Sequence, residues 1–396
     1  MSADVSTAMV EVDGQAVAEV FEPESVDELT SFLIATDAPA SIVIVGGGTR
    51  LAYGNADGPF DAAISLRRLN RVVYYEPDDM TLAVEPGCTV ADIHALLADH
   101  NQAIALDTAR PECATIGGSF ATGMSSPRRL GGGSLKDWAI GIEVVLPDGS
   151  LAKAGGMVVK NVTGFDMMHV HYGALGAFGI VTRLNLKVFP QMSGGRSVVL
   201  RYDDVSTAHA AGEALLRSQL QPTSIVLDNV ESEWSLRVRC DAPVSAIERV
   251  VERTISVATS VAAASNESVG DDANEALLPF LSVTDLMADR AVVRLPIPAS
   301  RQITALRLLE TTDGFAICAD LGSGIIYAAG LADEEWLRRI EVVHPSPTFL
   351  ALPVEMKRTL DVFGGVDPAA LAVVSSMKDA FDPYRRFNRG RFVARL

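Results

Sequence analysis

In three places between residues 42 and 180 this chain dispenses with side chains. A short apolar run, Ile42-Val43-Ile44-Val45, passes into Gly46-Gly47-Gly48-Thr49-Arg50; Thr115-Ile116-Gly117-Gly118 follows; Gly173-Ala174-Leu175-Gly176-Ala177-Phe178-Gly179-Ile180 completes the set. Backbone without a Cβ can approach a neighbour closely and adopt dihedrals closed to other residues. Three such passages beside strand-like runs point to a large ligand that is flat, multiply charged or both, and a dinucleotide fits that description. Turn punctuation and close strand packing are the competing explanation for each glycine taken singly. A Rossmann site would need GxGxxG opening directly into a helix, but Leu51 to Pro59 follows the first loop and carries Gly54, Asn55, Asp57, Gly58 and Pro59, which rules a helix out there. The remaining way to hold a pyrophosphate is a nest of consecutive backbone N–H groups, with a hydroxyl such as that of Thr49 beside it.

Composition limits the setting. A chain of 396 residues, 48% hydrophobic and only 21% charged, exceeds what one core usually organises, so more than one domain is expected. With 33 Lys and Arg against 50 Asp and Glu, the net charge of -17 argues against a nucleic acid or an anionic membrane as partner, since both need clustered cations. Residues 1–15 lack a signal pattern, and no apolar run approaches the roughly 20 residues of a transmembrane helix. The expectation is a cytoplasmic chain without a transmembrane segment, reaching the inner face of a membrane only through partners. Cys88, Cys113, Cys240 and Cys318 are far apart, so neither a metal knuckle nor an iron–sulfur ligand set is available. They are read as ordinary thiols, and no metal site is expected.

The periodicity predicts a helix over Glu24–Asp37 with Ser25 and Glu28 as a capping box, and another over Val90–His100 capped by Thr89. Strands are expected at Ile42–Val45, Ala62–Leu66, Val72–Tyr75, Thr81–Glu85, Ile142–Leu146 and Gly179–Phe189. Beyond Gln191–Gly195 the rhythm becomes strand, helix, strand: Ser197–Tyr202, Ser206–Gln219 and Ser224–Leu227; Leu236–Cys240 and Val244–Val257; Ala291–Leu295 and Ser300–Thr311. Such split units build an antiparallel sheet with helices on one face. Asn266–Asn274 reads as a solvated acidic loop, Pro368–Phe381 as a helix, and no repeat of fixed period is evident. The fold class is α+β.

Six motifs occur in order: Ile44–Thr49, Val84-Glu85-Pro86-Gly87, Thr115–Gly118, Gly141–Gly149, Val159–Asp166 and Gly176–Thr182. Together they resemble the FAD-binding domain of the vanillyl-alcohol-oxidase/PCMH superfamily, and within it the FAD-binding subunits of bacterial glycolate oxidase complexes. The likeness is strong over residues 20–190 and returns at Phe387–Arg391. It implies a two-subdomain PCMH-type FAD-binding domain over 1–192, an α/β, ferredoxin-like cap over 193–345, and a C-terminal segment, 346–396, returning to the first domain. It further implies that Gly46, Gly47, Gly48, Thr49 and Arg50 cradle the pyrophosphate. Thr115, Gly117, Gly118, Ser119 and Thr122 would then run along the cofactor toward the flavin, Ser125 and Ser126 would lie near the flavin, and Gly179 and Ile180 would meet the adenine end. The implied partners are a paralogous flavoprotein subunit and an iron–sulfur subunit, and the implied substrate of the complex is a small 2-hydroxy acid.

The chain also departs from that family. Members with covalent flavin often carry a histidine in the first loop, where Thr49 stands here, so non-covalent FAD is expected. Metal-dependent members carry a Gly-Asp-Gly-Asn-x-His passage in the cap; the corresponding stretch, Ala319-Asp320-Leu321-Gly322-Ser323-Gly324-Ile325-Ile326, has no histidine. Direct oxidation of a substrate needs a base as well as the flavin. His169 and His171 are the tempting bases, with structural or surface roles expected, and no catalytic residue is assigned. Arg128, Arg129, Arg385 and Arg391 could meet a carboxylate or phosphate, with solvated or ion-paired roles expected for each; Lys160 and Asn161 are expected to shape a turn. Three functions fit: a flavoprotein subunit relaying electrons within a complex, a stand-alone FAD-dependent 2-hydroxy acid dehydrogenase, and a flavin-free structural subunit.

Overall fold

A computed structural model of the chain describes residues 9–35, 38–124, 126–157, 167–231, 233–271, 275–285, 290–310 and 315–396. Ser125, Lys160, Asn161 and the Val159–Asp166 motif therefore lie outside the described residues. The first helix is Val26–Ile34: Ser25 accepts the Glu28 N–H at 3.2 Å, and Leu29 and Leu33 bury one face. The reciprocal half of the expected capping box is displaced, because the Glu28 carboxylate accepts from the Glu24 N–H at 2.8 Å.

Two sheets build the glycine-rich half. Ile42–Val45 lies parallel to Ala62–Ser65, whose other edge is covered by Glu19–Phe21. An antiparallel sheet runs in the order Leu151–Gly155, Ala139–Val145, Ile180–Lys187, Thr81–Val84, Val72–Glu76. Its apolar face packs on the helix Val90–Ala98, with Ile93 and Leu97 pointing inward beside Leu82, Val84, Ile142 and Leu184.

A single antiparallel sheet of eight strands organises the rest. Gly194–Tyr202, Ser224–Asp228, Trp234–Ala242 and Asn266–Gly270, with the helices Val205–Arg217 and Ile247–Val261, make one βαββαβ unit. Ala291–Pro296, Ala316–Asp320, Ile325–Gly330 and Thr348–Ala351, with Ala299–Glu310 and Glu334–Val343, make a second. In each the strands lie in the spatial order four-one-three-two, the ferredoxin-like arrangement, and the units join edge to edge where Val226–Asp228 pairs with Cys318–Asp320. Thr348–Ala351 pairs with Ala291–Pro296, so this sheet continues past the expected limit at 345. Asn266–Gly270 is likewise an edge strand, not a loop: main-chain pairing with Ser197–Arg201 holds it and needs no apolar alternation in a strand that is mostly exposed.

The two faces of this sheet differ, as the period of two along a strand requires. Val198, Leu200, Ile225, Leu227, Leu236, Val238, Val293, Leu295, Ile317 and Ile326 meet the helices. The alternate positions, Asp228, Arg237, Arg239, Arg294, Cys318, Asp320 and Tyr327, form a polar face. That face turns toward the glycine-rich half, since Cys318 and Tyr327 pack in one cluster with Tyr53 and Met124.

The tail returns to the first strand. After the helix Pro368–Phe381, Phe387 bridges Ile42 in parallel: the Ile42 N–H donates to the Arg386 carbonyl and the Asn388 N–H to the Ile42 carbonyl, both at 2.8 Å. Lys378 anchors the turn from a fully buried position, donating to the Ala177 carbonyl and to Asp382 at 2.7 Å and to the Phe387 carbonyl at 3.0 Å.

Candidate functional site

The strand Ile42–Val45 delivers the first glycine loop onto the N-terminus of a short helix, Ile116–Thr122. Thr115 is its cap and the tie between the passages, because the Thr115 hydroxyl accepts from the Gly118 N–H at 3.2 Å and from the Gly47 N–H at 3.3 Å. The passage expected to lie along a cofactor is thus partly helical. Its first amides are already taken: Ile116 N–H donates to Cys88 O and Gly117 N–H to Pro86 O, each at 2.9 Å. This helix start consequently offers an anion fewer donors than a bare N-terminus does.

Close approach explains several of the glycines without any ligand. A Cβ on Gly47 would collide with the Cys113 carbonyl, and on Gly46, Gly117 or Gly179 with Thr115, Pro86 or Val144. Gly48 is different, with φ +75° and nothing nearer to an added Cβ than Arg67 at 3.6 Å. Among the described residues no acceptor takes the N–H groups of Gly48, Thr49 and Arg50. Arg67 fixes the loop from behind by donating to the Gly47 carbonyl at 2.8 Å.

The three passages border one cleft, which encloses about 940 Å³ counting its open mouth. Gly46, Gly47, Gly48, Thr49, Arg50, Thr115, Gly117, Gly118, Ser119, Thr122, Gly179 and Ile180 all line it. Ser126 does not: its buried hydroxyl donates to the Ala105 carbonyl at 3.1 Å. Val43, Ile44, Leu66, Pro86, Ala121 and Val181 supply apolar wall.

The wall also holds residues that the sequence reading left out or assigned elsewhere. Tyr53 and Leu175 carried no signal. Asn388 and Arg391 arrive from the tail: Asn388 accepts from the Ile44 N–H at 3.1 Å and donates to the Leu175 carbonyl, while Arg391 donates to the carbonyls of Leu51 and Tyr53 at 2.7 Å and meets Asp13 at 3.2 Å. Arg391 is thus a buried clamp on the loop after Arg50. Arg128 forks onto Asp107, with Nε at 2.9 Å, and Arg385 pairs with Asp379. Arg129 starts a one-turn helix outside the cleft lining.

His171, at the end of the one-turn helix Met168–His171, is buried in the cleft wall, and among the described residues its Nδ1 has no partner. Burial holds its imidazole down to about 4. The residues present suit FAD on two counts: the three glycine passages line one cleft, and a loop whose amides are unengaged among the described residues lies where a Cβ-free backbone leaves room. On the far side, Ala319–Ile326 forms a strand end, a tight turn and a strand start; Asp320 accepts from the Ser323 N–H at 3.2 Å, and burial pushes its carboxyl up to about 6. Among the described residues no three His, Cys, Asp or Glu cluster as metal ligands would, and no helix is long and apolar enough to cross a membrane.

Residues 17–155 match the family of FAD binding domains. The chain is 23% identical to glycolate oxidase subunit GlcD of Bacillus subtilis (strain 168) over 95% of its own length and 89% of that protein's. It is 32% identical to glycolate oxidase subunit GlcE of Escherichia coli (strain K12) over 39% of its length and 43% of GlcE. It is also 30% identical to a D-2-hydroxyglutarate dehydrogenase of Xanthomonas citri over 42% of its length and 35% of that protein. The chain therefore spans less than half of these last two relatives. In fold it is similar to alkyldihydroxyacetonephosphate synthase, with a TM-score of 0.68 and 16% identity over 94% of this chain and 75% of that one. Residues 17–155 therefore form an FAD binding domain, and the chain, similar to glycolate oxidase subunits and to a hydroxy acid dehydrogenase, is an FAD-binding oxidoreductase.

Proposed function

We propose that this chain is an FAD-carrying subunit of a 2-hydroxy acid dehydrogenase complex of the glycolate oxidase type. The reading assigns residues 1–192 and the returning tail to the cofactor and the eight-stranded sheet to the cap. One observation carries it: the unengaged amides of Gly48, Thr49 and Arg50 open on the same cleft as the second and third glycine passages. In this reading the Gly46–Arg50 loop holds the pyrophosphate. Thr115, Gly117, Gly118, Ser119 and Thr122 flank the cofactor, Gly179 and Ile180 meet its adenine end, and Ser125 completes the set near the flavin. When bound, FAD supplies a two-electron acceptor that can return electrons singly to an iron–sulfur partner. The chain's residues bind it, orient it and exclude water; the apolar walls serve the last role. Thr49 in place of a histidine favours non-covalent attachment.

The partners of this reading are a paralogous flavoprotein subunit and an iron–sulfur subunit, with association at the inner face of the membrane through them. Likeness along most of GlcD also favours a second reading, in which the chain oxidises a hydroxy acid itself. One experiment separates them. The purified chain, reconstituted with FAD, should show a flavin visible spectrum, release all flavin on acid precipitation, and stay oxidised under anaerobic glycolate or D-lactate until partners are added. Bleaching by substrate alone would select the second reading, and a colourless protein after reconstitution would overturn both.

A further inference from the structure

Two arginines hold the first glycine loop by its carbonyls. Arg67, in the turn that follows Ala62–Ser65, donates to the Gly47 carbonyl at 2.8 Å, and Arg110 donates to the Thr49 carbonyl at 3.4 Å. Neither arginine borders the cleft, although every residue from Gly46 to Arg50 does. Arg110 also meets Asp285, just past the helix Leu278–Thr284, at 3.0 Å. That helix packs Phe280 and Val283 against Cys318 and Tyr327 of the eight-stranded sheet, so Arg110 ties the loop to the other half of the molecule.

The peptide planes carry the consequence. A trans peptide is planar, and its C=O and N–H point in opposite directions. The bonds from Gly47 to Gly48 and from Thr49 to Arg50 are trans. A donor that fixes the Gly47 carbonyl outside the cleft therefore turns the Gly48 N–H the other way, and one on the Thr49 carbonyl does the same for the Arg50 N–H. These are two of the three loop amides that no acceptor takes among the described residues. With glycine on both sides, the plane between Gly47 and Gly48 would swing at little steric cost if nothing held its carbonyl.

We infer that Arg67 and Arg110 are positioning residues for a diphosphate: by holding the carbonyls of Gly47 and Thr49 from outside the cleft, they aim the N–H groups of Gly48 and Arg50 into it. The inference rests on the FAD reading for the identity of the diphosphate, but the direction of the amides does not depend on it. Donors already turned toward an anion bind it without the cost of ordering the loop first. Arg67 is exposed, so salt screens its charge, and its hold on the carbonyl is the larger part of its effect.

The test measures FAD affinity by flavin fluorescence and ADP affinity by calorimetry on the full chain freed of cofactor, with phosphorus NMR of the bound ADP. Arg67→Met should weaken both ligands by roughly tenfold and Arg110→Met by about fivefold, the scale of one hydrogen bond to a charged oxygen, less for the longer one. The losses should persist at about 1 M salt, where an effect of charge alone is screened, and the phosphorus resonances of bound ADP should move. Both variants should keep the wild-type urea midpoint, which a collapsed fold would not. Asp285→Asn, which spares the Arg110 donor, should bind both ligands as wild type does; a loss equal to that of Arg110→Met would strike Arg110 from the inference. FAD held equally by wild type and Arg67→Met, or a loss confined to low salt, would overturn the inference and leave the FAD reading standing. A chain that binds ADP through Arg67 and refuses flavin would end the FAD reading alone, and a wild-type chain that binds neither ligand would end both.

Discussion

Replacing Lys378 by methionine tests how the tail shapes the cleft. The Lys378 ammonium is fully buried; it donates to Asp382 and the Ala177 carbonyl at 2.7 Å and to the Phe387 carbonyl at 3.0 Å. Asp382 spends its remaining capacity on the N–H groups of Arg386 and Phe387, each at 2.9 Å. Methionine fills the space but leaves a buried carboxylate without its cation and two buried carbonyls without a donor. Breaking a buried pair from one side costs about 3–5 kcal/mol. For a domain of this size that corresponds to a drop in melting temperature of about 10 °C. Since Ala177 lies in the third glycine passage and Phe387 is bridged to Ile42, the loss should also weaken FAD binding. Circular dichroism melts and urea titrations give the stability term, and flavin fluorescence the affinity. Adding Asp382→Asn to Lys378→Met should recover part of the loss by removing the unpaired charge. A Lys378→Met chain destabilised by less than about 1 kcal/mol would refute the reasoning, because no buried charge could then have been stranded.

Two further outcomes follow from the site. Gly47→Ala places a methyl on the Cys113 carbonyl and should cost about 3 kcal/mol in urea unfolding, while Gly48→Ala, strained only by its φ of +75°, should cost about 1–2 kcal/mol and act mainly on FAD affinity; equal effects on both readouts would contradict the division of labour within the loop. His171 is held down to about 4 against an ordinary 6.5, so between those values the unfolded chain binds a proton that the folded chain refuses, and stability is lost as pH falls through that window. The full effect is about 3 kcal/mol, and His171→Leu should remove it; an identical slope of unfolding free energy against pH from 6.5 to 4 in both proteins would show that the ring is not the cause.

Much of the fold was legible because it is written locally. Ser25 and Thr89 cap helices that the apolar spacing announced, and Pro368–Phe381, capped by Asp367, falls where its sequence placed it. The Ile116–Thr122 helix escaped because two glycines at its start suppress helical propensity; the Thr115 cap and tertiary amide partners stabilise it instead. The twofold βαββαβ plan was invisible as a repeat, since the units share connectivity and not spacing. His171 gave only a weak signal, for nothing in Met167–Tyr172 says that its ring will be buried in a cleft wall built by residues far away in the chain.

By itself the sequence determined where backbone had to be bare, which segments would be helix or strand, and that the loop after Ile42–Val45 could not open into a Rossmann helix. Only the tertiary structure decided what each bare position is for. Gly47 yields space to Cys113 and Gly48 leaves an amide free, a difference that depends on what stands opposite each residue. It also decided that Arg391 would be held by Leu51, Tyr53 and Asp13, since the returning tail, not the local sequence, brings this cation and its partners together.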